Sequence, residues 1–279
     1  MIFKSVFQFR PMPWGNFLLN HIFKLEEQNP IGEVWLLSDH PLMKTKLLDE
    51  DGKEYDPSIL LDCFNLNLPR FPLLLKLISS SQWLSVQVHP DDEIAKKIEN
   101  EPWGKTECWY FLQNSLVAFL NPNSDFEQCL EKNDWAENLV FLKPEKGDFI
   151  FIPAGLAHAL GPDSMLIEIQ QSSDLTYRIY DWGRKRETHL EKAKLSLKKF
   201  DLDKLFISSF CHFESEYFEI YKVIGRTYLA SNAIVIALEE GKINENKANV
   251  YDTYVVVNEK PTKVEGTFLV IKLGKKWFS

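Results

Sequence analysis

The sequence predicts a mainly β protein: a sandwich or barrel of short strands with helical insertions, followed by a second, smaller β unit. Three observations predict it. Short apolar or alternating runs rich in Val, Ile, Phe, Tyr and Trp recur along the whole chain, and Pro, Gly, Asn and Asp separate them. Helical signals are few by comparison. The 20 Phe, 9 Tyr and 8 Trp among 279 residues supply ample apolar surface for a packed core, which excludes a disordered chain.

In chain order the runs are IGEVWLLS (31–38), FPLLLKLI (71–78), WLSVQVH (83–89), ECWYFL (107–112) and SLVAFL (115–120). Then come GDFIFIP (147–153), SMLIEIQ (164–170), LTYRIY (175–180), AIVIALE (233–239), TYVVVN (253–258) and TFLVIKL (267–273). Each has the length and residue types of a strand. Helices are expected at 91–100, following Pro90, at 124–133, with Ser124 as cap, and at the Lys-rich stretch 187–199. The stretch 147–169 is echoed at 251–273, where the glycine, the Pro–Gly turn and the histidine are missing. That echo places a domain boundary near 200. Residues 1–200 are expected to carry the chemistry, and 201–279 to form a β domain without a metal site.

Charge and composition narrow the partners. The formal net charge is −8 and no basic cluster is present, so binding through neutralised nucleic-acid phosphates is not expected. No apolar run reaches the roughly 18 residues of a membrane span, and the N-terminus lacks an apolar signal core. A cytoplasmic protein is expected, with Cys63, Cys108, Cys129 and Cys211 as reduced thiols, since none forms a C-x-x-C pair.

The chemistry starts at GDFIFIPAGLAH. The run FIFI ends at Pro153, Gly155 permits a tight turn, and His158 opens the next strand. The spacing of Gly147, Pro153, Gly155 and His158 is similar to the second motif of cupins, small β-barrels with a metal at the mouth. Alone, such a histidine is more often a satisfied polar residue. It has company, however. Ser85, Gln87 and His89 alternate with Leu84, Val86 and Val88, so hydroxyl, amide and imidazole share one strand face. Water could equally well cover that face. Glu107 opens an otherwise aromatic strand, a costly place for an unpaired charge. A divalent ion held by Gln87, His89, Glu107 and His158 would resolve the cost, and this N/O set suits zinc or a similar metal.

QVHPDD, GKTECWYFL, PAGLAHAL and YRIYDWGR, with FPLLLKLI and IGEVW upstream, resemble the type I phosphomannose isomerases in order from about Pro13 to Arg184. The resemblance implies a cupin-type barrel or jelly roll and one Zn2+ per chain on Gln87, His89, Glu107 and His158. It also implies interconversion of mannose 6-phosphate and fructose 6-phosphate through a cis-enediol. The substrate would be a small sugar phosphate, met by a monomer or homodimer. Ser85, Lys105 and Arg184 map to substrate binding, Arg178 to catalysis, and Glu168 to a pocket carboxylate. Glu168 is a candidate base, in competition with zinc-bound water. Lys76, a lysine inside FPLLLKLI, either pairs with a carboxylate or lines the pocket. His21, His40, His189 and His212 are expected to be solvated or capping. Two other readings compete: a cupin metalloenzyme with different chemistry, such as iron- or manganese-dependent oxygen reactions, and a sugar-phosphate-binding cupin without catalysis.

Overall fold

The computed structural model describes residues 1–258 and 260–278. The chain is mainly β, and all its sheets are antiparallel. Contacts divide it into two units. The first comprises Met1–Gln8, Trp35–Leu75 and Phe210–Ser279; the second comprises Phe9–Val34 and Lys76–Ser209. The C-terminal β segment thus folds together with two N-terminal stretches, an arrangement the sequence pattern did not display.

The first unit is a ten-stranded sheet. Its longest ladder pairs Phe218–Leu229 with Thr262–Leu273, and Ala233–Ala237 and Thr253–Val256 add to it. Val235, Ala237, Ile243, Val264, Phe268 and Val270 form its core. The short helix Ile59–Cys63 belongs to this unit and was not anticipated.

The remaining strands form two facing sheets. One runs through Leu139–Leu142, Val117–Leu120, His158–Leu160, Val86–Val88 and Tyr177–Tyr180. The other orders Phe206–Ile207, Phe149–Ile152, Glu107–Phe111, Ser164–Gln171, Leu73–Ser80, Ile31–Leu37 and Gln8–Pro11. Strand parity decides what lies between them. Trp109, Phe111, Phe119, Ile150, Ile152, Leu160 and Leu166 meet in one core. On the far face of the first sheet, Val86, Val88, Ala118, Ala159, Tyr177 and Ile179 pack with Cys129, Trp135 and Ala193 of the helical segments.

Of the expected barrel or jelly roll, the structure has facing antiparallel sheets that do not close into a barrel. The edge strands Gln8–Pro11 and Tyr177–Tyr180 carry Arg10 and Arg178, and both side chains line one cavity. The helices differ in detail from expectation. Asp125, not Ser124, caps Phe126–Lys132 by accepting from the Gln128 N–H. The 91–100 segment is a single α-turn, Asp92–Ile94, followed by a π-helical stretch, Ala95–Glu99, that ends at left-handed Asn100. Phe17–Ile22, capped by Asn16, is a further helix.

Candidate metal centre and active site

Strand parity turns the polar face of 85–89 inward. Val86 and Val88 lie under the helices, and Gln87 pairs across the ladder with His158 on one side and Arg178 on the other. The expected alternation stops one residue short, because the strand begins at Val86 and Leu84 lines the same cavity as Ser85 and Gln87. Glu107 opens its strand opposite Ile152 and Gln170, sharing a face with Trp109 and Phe111.

Two loops bring these strands into register at the site. Gly155, in the left-handed region at φ 98°, donates its N–H to the carbonyl of His89, so the PAG turn is tied to the other histidine strand. A side chain there would also meet Ser196 and Lys198. The second loop carries Lys105 and Glu107. Asp92 accepts from the Gly104 N–H and from the Gln171 amide, and the Lys105 N–H donates to the Pro90 carbonyl. A Cβ on Gly104 would fall 2.2 Å from the Pro90 oxygen. Gly104 therefore serves close backbone packing rather than approach to a ligand.

His89, Glu107 and His158 converge, with one ligand atom from each lying within 4.8 Å of the others. The Nε2 atoms of His89 and His158 each stand 3.5 Å from an oxygen of Glu107. Each Nδ1–H is directed to a backbone carbonyl, Leu175 for His89 and Leu156 for His158, which leaves both Nε2 lone pairs facing the same point. Burial and the Lys105 charge lower the pKa of His89; burial and His89 push His158 down to about 3. Both imidazoles are thus neutral donors at physiological pH.

Glu107 is fully buried; the Lys105 ammonium contacts its Oε2, and its Oε1 has no hydrogen-bond partner. Burial opposes its ionisation, but the Lys105 ammonium 2.6 Å away carries its pKa well below the ordinary range. A buried carboxylate with an unpartnered oxygen beside two neutral imidazole nitrogens is the donor set of a divalent cation. Gln87 completes it. Its amide nitrogen lies 3.5 Å from His158 Nε2, and rotating the amide by half a turn would present the oxygen instead. The Ser85 hydroxyl, which donates to that oxygen at 3.3 Å, could hold either orientation because it also accepts.

A cavity of about 280 Å³ opens beside this cluster. It is lined by Ser85, Gln87, Lys105, Glu168 and Lys76, together with Arg10, Glu33, Asp174, Arg178 and Arg186. Glu168 is buried; Trp109 Nε1 donates to its Oε2 at 3.0 Å, while Oε1 has no hydrogen bond. Burial, then the Glu107 charge, raise its pKa, against the pull of Lys105 and Lys76. Lys76 both pairs with carboxylates and lines the cavity: Glu168, Glu33 and Asp174 stand 3.4, 3.7 and 3.8 Å from its Nζ. Burial works against its charge, yet these three carboxylates raise its pKa above the ordinary value.

Arg184 is the predicted residue the structure does not bring to the cavity. Its guanidinium donates to the Asp181 carboxylate and to the carbonyls of Trp83 and Asp181. Arg186, two residues on, lines the cavity in its place. Glu33 was legible in principle, because a carboxylate inside the apolar run IGEVWLL is the same anomaly as Lys76. Arg10, Asp174 and Arg186 carried no such signal, being polar residues among polar neighbours. One histidine departs from expectation: His40 is buried and accepts the Leu42 N–H. His189 stands at the N-cap of the helix Leu190–Ser196 and accepts the Arg178 N–H, and His21 and His212 are exposed. All four cysteines are free thiols. No helix of the described residues is long and apolar enough to cross a membrane.

Comparison with known proteins agrees with this geometry. Residues 14–114 match the family described as phosphomannose isomerase type I, catalytic domain. The chain is 35% identical over 260 residues to "Probable mannose-6-phosphate isomerase GmuF" of Bacillus subtilis, covering 80% of each protein. It is 36% identical over 203 residues to the mannose-6-phosphate isomerase of Streptococcus mutans, covering 64% of this chain and 62% of that protein. The crystal structure of the mannose 6-phosphate isomerase from Bacillus subtilis superposes with a TM-score of 0.86 at 25% identity, over 98% of this chain and 99% of that one. With a relative this similar over four fifths of both lengths, and a fold shared end to end, the chain belongs to the type I phosphomannose isomerase family.

Proposed function

We propose that the protein interconverts mannose 6-phosphate and fructose 6-phosphate, with one zinc ion per chain on Gln87, His89, Glu107 and His158. The observation that carries this reading is the fully buried Glu107, 3.5 Å from the Nε2 atoms of His89 and His158 and next to a cavity that Gln87 and Lys105 line. Solved relatives include a mannose 6-phosphate isomerase described as zinc bound. When bound, the ion supplies a Lewis acid that stabilises negative charge developing on the sugar oxygens at C1 and C2.

The remaining work falls to the chain's own groups. Isomerisation removes the proton at C2 of the open-chain aldose and returns one to C1, with a cis-enediol between the two transfers. Glu168 holds that proton in transit. Its Oε1 accepts no hydrogen bond and lies between the Lys76 and Lys105 ammoniums, its Oε2 is fixed by Trp109, and its raised pKa brings it closer to the working pH than an ordinary carboxylate. Lys105 and Arg178 contribute positive charge toward the enediolate and the phosphate, and Ser85 orients Gln87. Catalysis is assigned to 1–200, and the 201–279 segment is assigned no metal.

The test is turnover of mannose 6-phosphate before and after chelation, with zinc added back. Loss on chelation and recovery with zinc support the isomerase and its metal together. Metal-loaded protein that binds the sugar phosphate without turnover would return the reading to a non-catalytic binding protein.

A further inference from the structure

We infer that Arg186, held in place by Asp181, is the cation that receives the substrate's phosphate, in the role that motif position gives to Arg184. The inference rests on the proposed sugar-phosphate substrate and names the residue that recognises its charged end.

Five cationic side chains line the cavity, Arg10, Lys76, Lys105, Arg178 and Arg186, against three carboxylates, Glu33, Glu168 and Asp174. Two further carboxylates adjoin this lining, Glu107 beside Lys105 and Asp181 beside Arg186. The carboxylates are not spread evenly. Glu33 and Asp174 each stand within ion-pair distance of both Arg10 and Lys76, and Glu168 lies near Lys76 and Lys105. Among the described residues Arg178 forms no ion pair, and Arg186 pairs with Asp181, which does not itself line the cavity.

These two guanidiniums are close enough that the Arg186 charge, after burial, helps to depress the proton affinity of Arg178. Arg178 donates Nη1 to the Glu187 carbonyl, and its buried Nε has no hydrogen-bond partner. Asp181 is itself buried and is the anchor. It accepts from Arg186 Nε at 2.7 Å and Nη2 at 2.6 Å, a fork that fixes the plane of the guanidinium. Among the described residues Nη1 of Arg186 makes no such bond, which leaves it for a ligand. The same carboxylate takes Arg184 Nη2 at 2.7 Å, and Trp83 O takes it at 2.7 Å from another direction. Arg184 thereby braces Asp181 and the 83–84 strand entry and does not line the cavity. Asp181 is a positioning residue for Arg186.

The experiment compares zinc-loaded wild type, Arg186→Ala, Arg186→Lys, Arg184→Ala and Asp181→Asn in KM and kcat for mannose 6-phosphate. Competitive inhibition by inorganic phosphate and by mannitol, a neutral polyol, is measured alongside. Arg186→Ala is expected to raise KM and the phosphate inhibition constant about 10- to 100-fold, the loss of a charge-assisted hydrogen bond, with mannitol inhibition unmoved. Arg186→Lys should recover part of the loss, since it keeps the charge and loses the fork. A purely structural defect would weaken mannitol and phosphate together, and that result overturns the inference. So does phosphate inhibition that falls in Arg184→Ala and holds in Arg186→Ala. If Asp181→Asn does not fold, the Arg186 pair still decides. Wild type that binds phosphate through Arg186 without isomerising mannose 6-phosphate would defeat the proposed function and leave the phosphate site standing.

Discussion

Replacing Lys76 by Met tests the charge ledger of the cavity. The substitution keeps the chain length and removes one ammonium from among three carboxylates at 3.4, 3.7 and 3.8 Å, in surroundings where the lysine itself is 2% exposed. Arg10 still compensates Glu33 and Asp174 at 3.4 and 3.5 Å, so Glu168 is the carboxylate that loses most. Breaking a buried pair from one side costs about 3–5 kcal/mol, and the remaining Arg10 favours the lower end. The lysine's pKa is raised in the folded state, so its contribution is complete below the unfolded lysine pKa and would fade only as pH climbs through the folded value. Across the neutral range the full deficit should therefore appear. The assay is urea unfolding of metal-free wild type and Lys76→Met at pH 7 and again near pH 5. At the lower pH Glu168, already raised by burial, takes up a proton more readily in the variant, and the deficit should shrink. In turnover, the acid limb of the kcat/KM profile should move to higher pH. A variant within 1 kcal/mol of wild type at pH 7 would refute the argument that Lys76 offsets buried negative charge.

Other expectations follow from the same geometry. Glu168→Gln should cut kcat by about 10²- to 10⁴-fold while keeping the Trp109 hydrogen bond; normal turnover would exclude the carboxylate as base. Because Glu168 has a raised folded pKa, the metal-free Gln variant should be no less stable than wild type at neutral pH. Any advantage should fade as pH falls through that pKa and the wild-type carboxyl protonates. His158→Ala should abolish stoichiometric metal in elemental analysis, and wild type should carry one ion per chain, since the only candidate cluster among the described residues is His89, Glu107 and His158. Gly104→Ala should cost both stability and metal affinity, because its Cβ would displace the Pro90 backbone that follows His89; unchanged metal affinity would show that the loop tolerates the shift.

Much of the site could be read from local pattern. Alternation over 85–89 and an acid at the head of an aromatic strand identify residues whose burial needs a partner, because period-two geometry and desolvation act on a few neighbouring positions at a time. The motif spacing around Pro153, Gly155 and His158 encodes a turn, and the turn is there. Free thiols and the mainly β character follow from composition and run length.

Tertiary structure decided the rest, for a physical reason. Whether two sheets close into a barrel depends on which edges meet, and here the edge strands Gln8–Pro11 and Tyr177–Tyr180 stay unpaired with each other and each sends an arginine to the cavity. The grouping of Met1–Gln8 and Trp35–Leu75 with the C-terminal strands is a long-range pairing that no local period records. Arg184 and Arg186 are chemically identical and two residues apart. Only the position of the Asp181 carboxylate and the Trp83 carbonyl determines which one faces the cavity, and that depends on how distant segments pack.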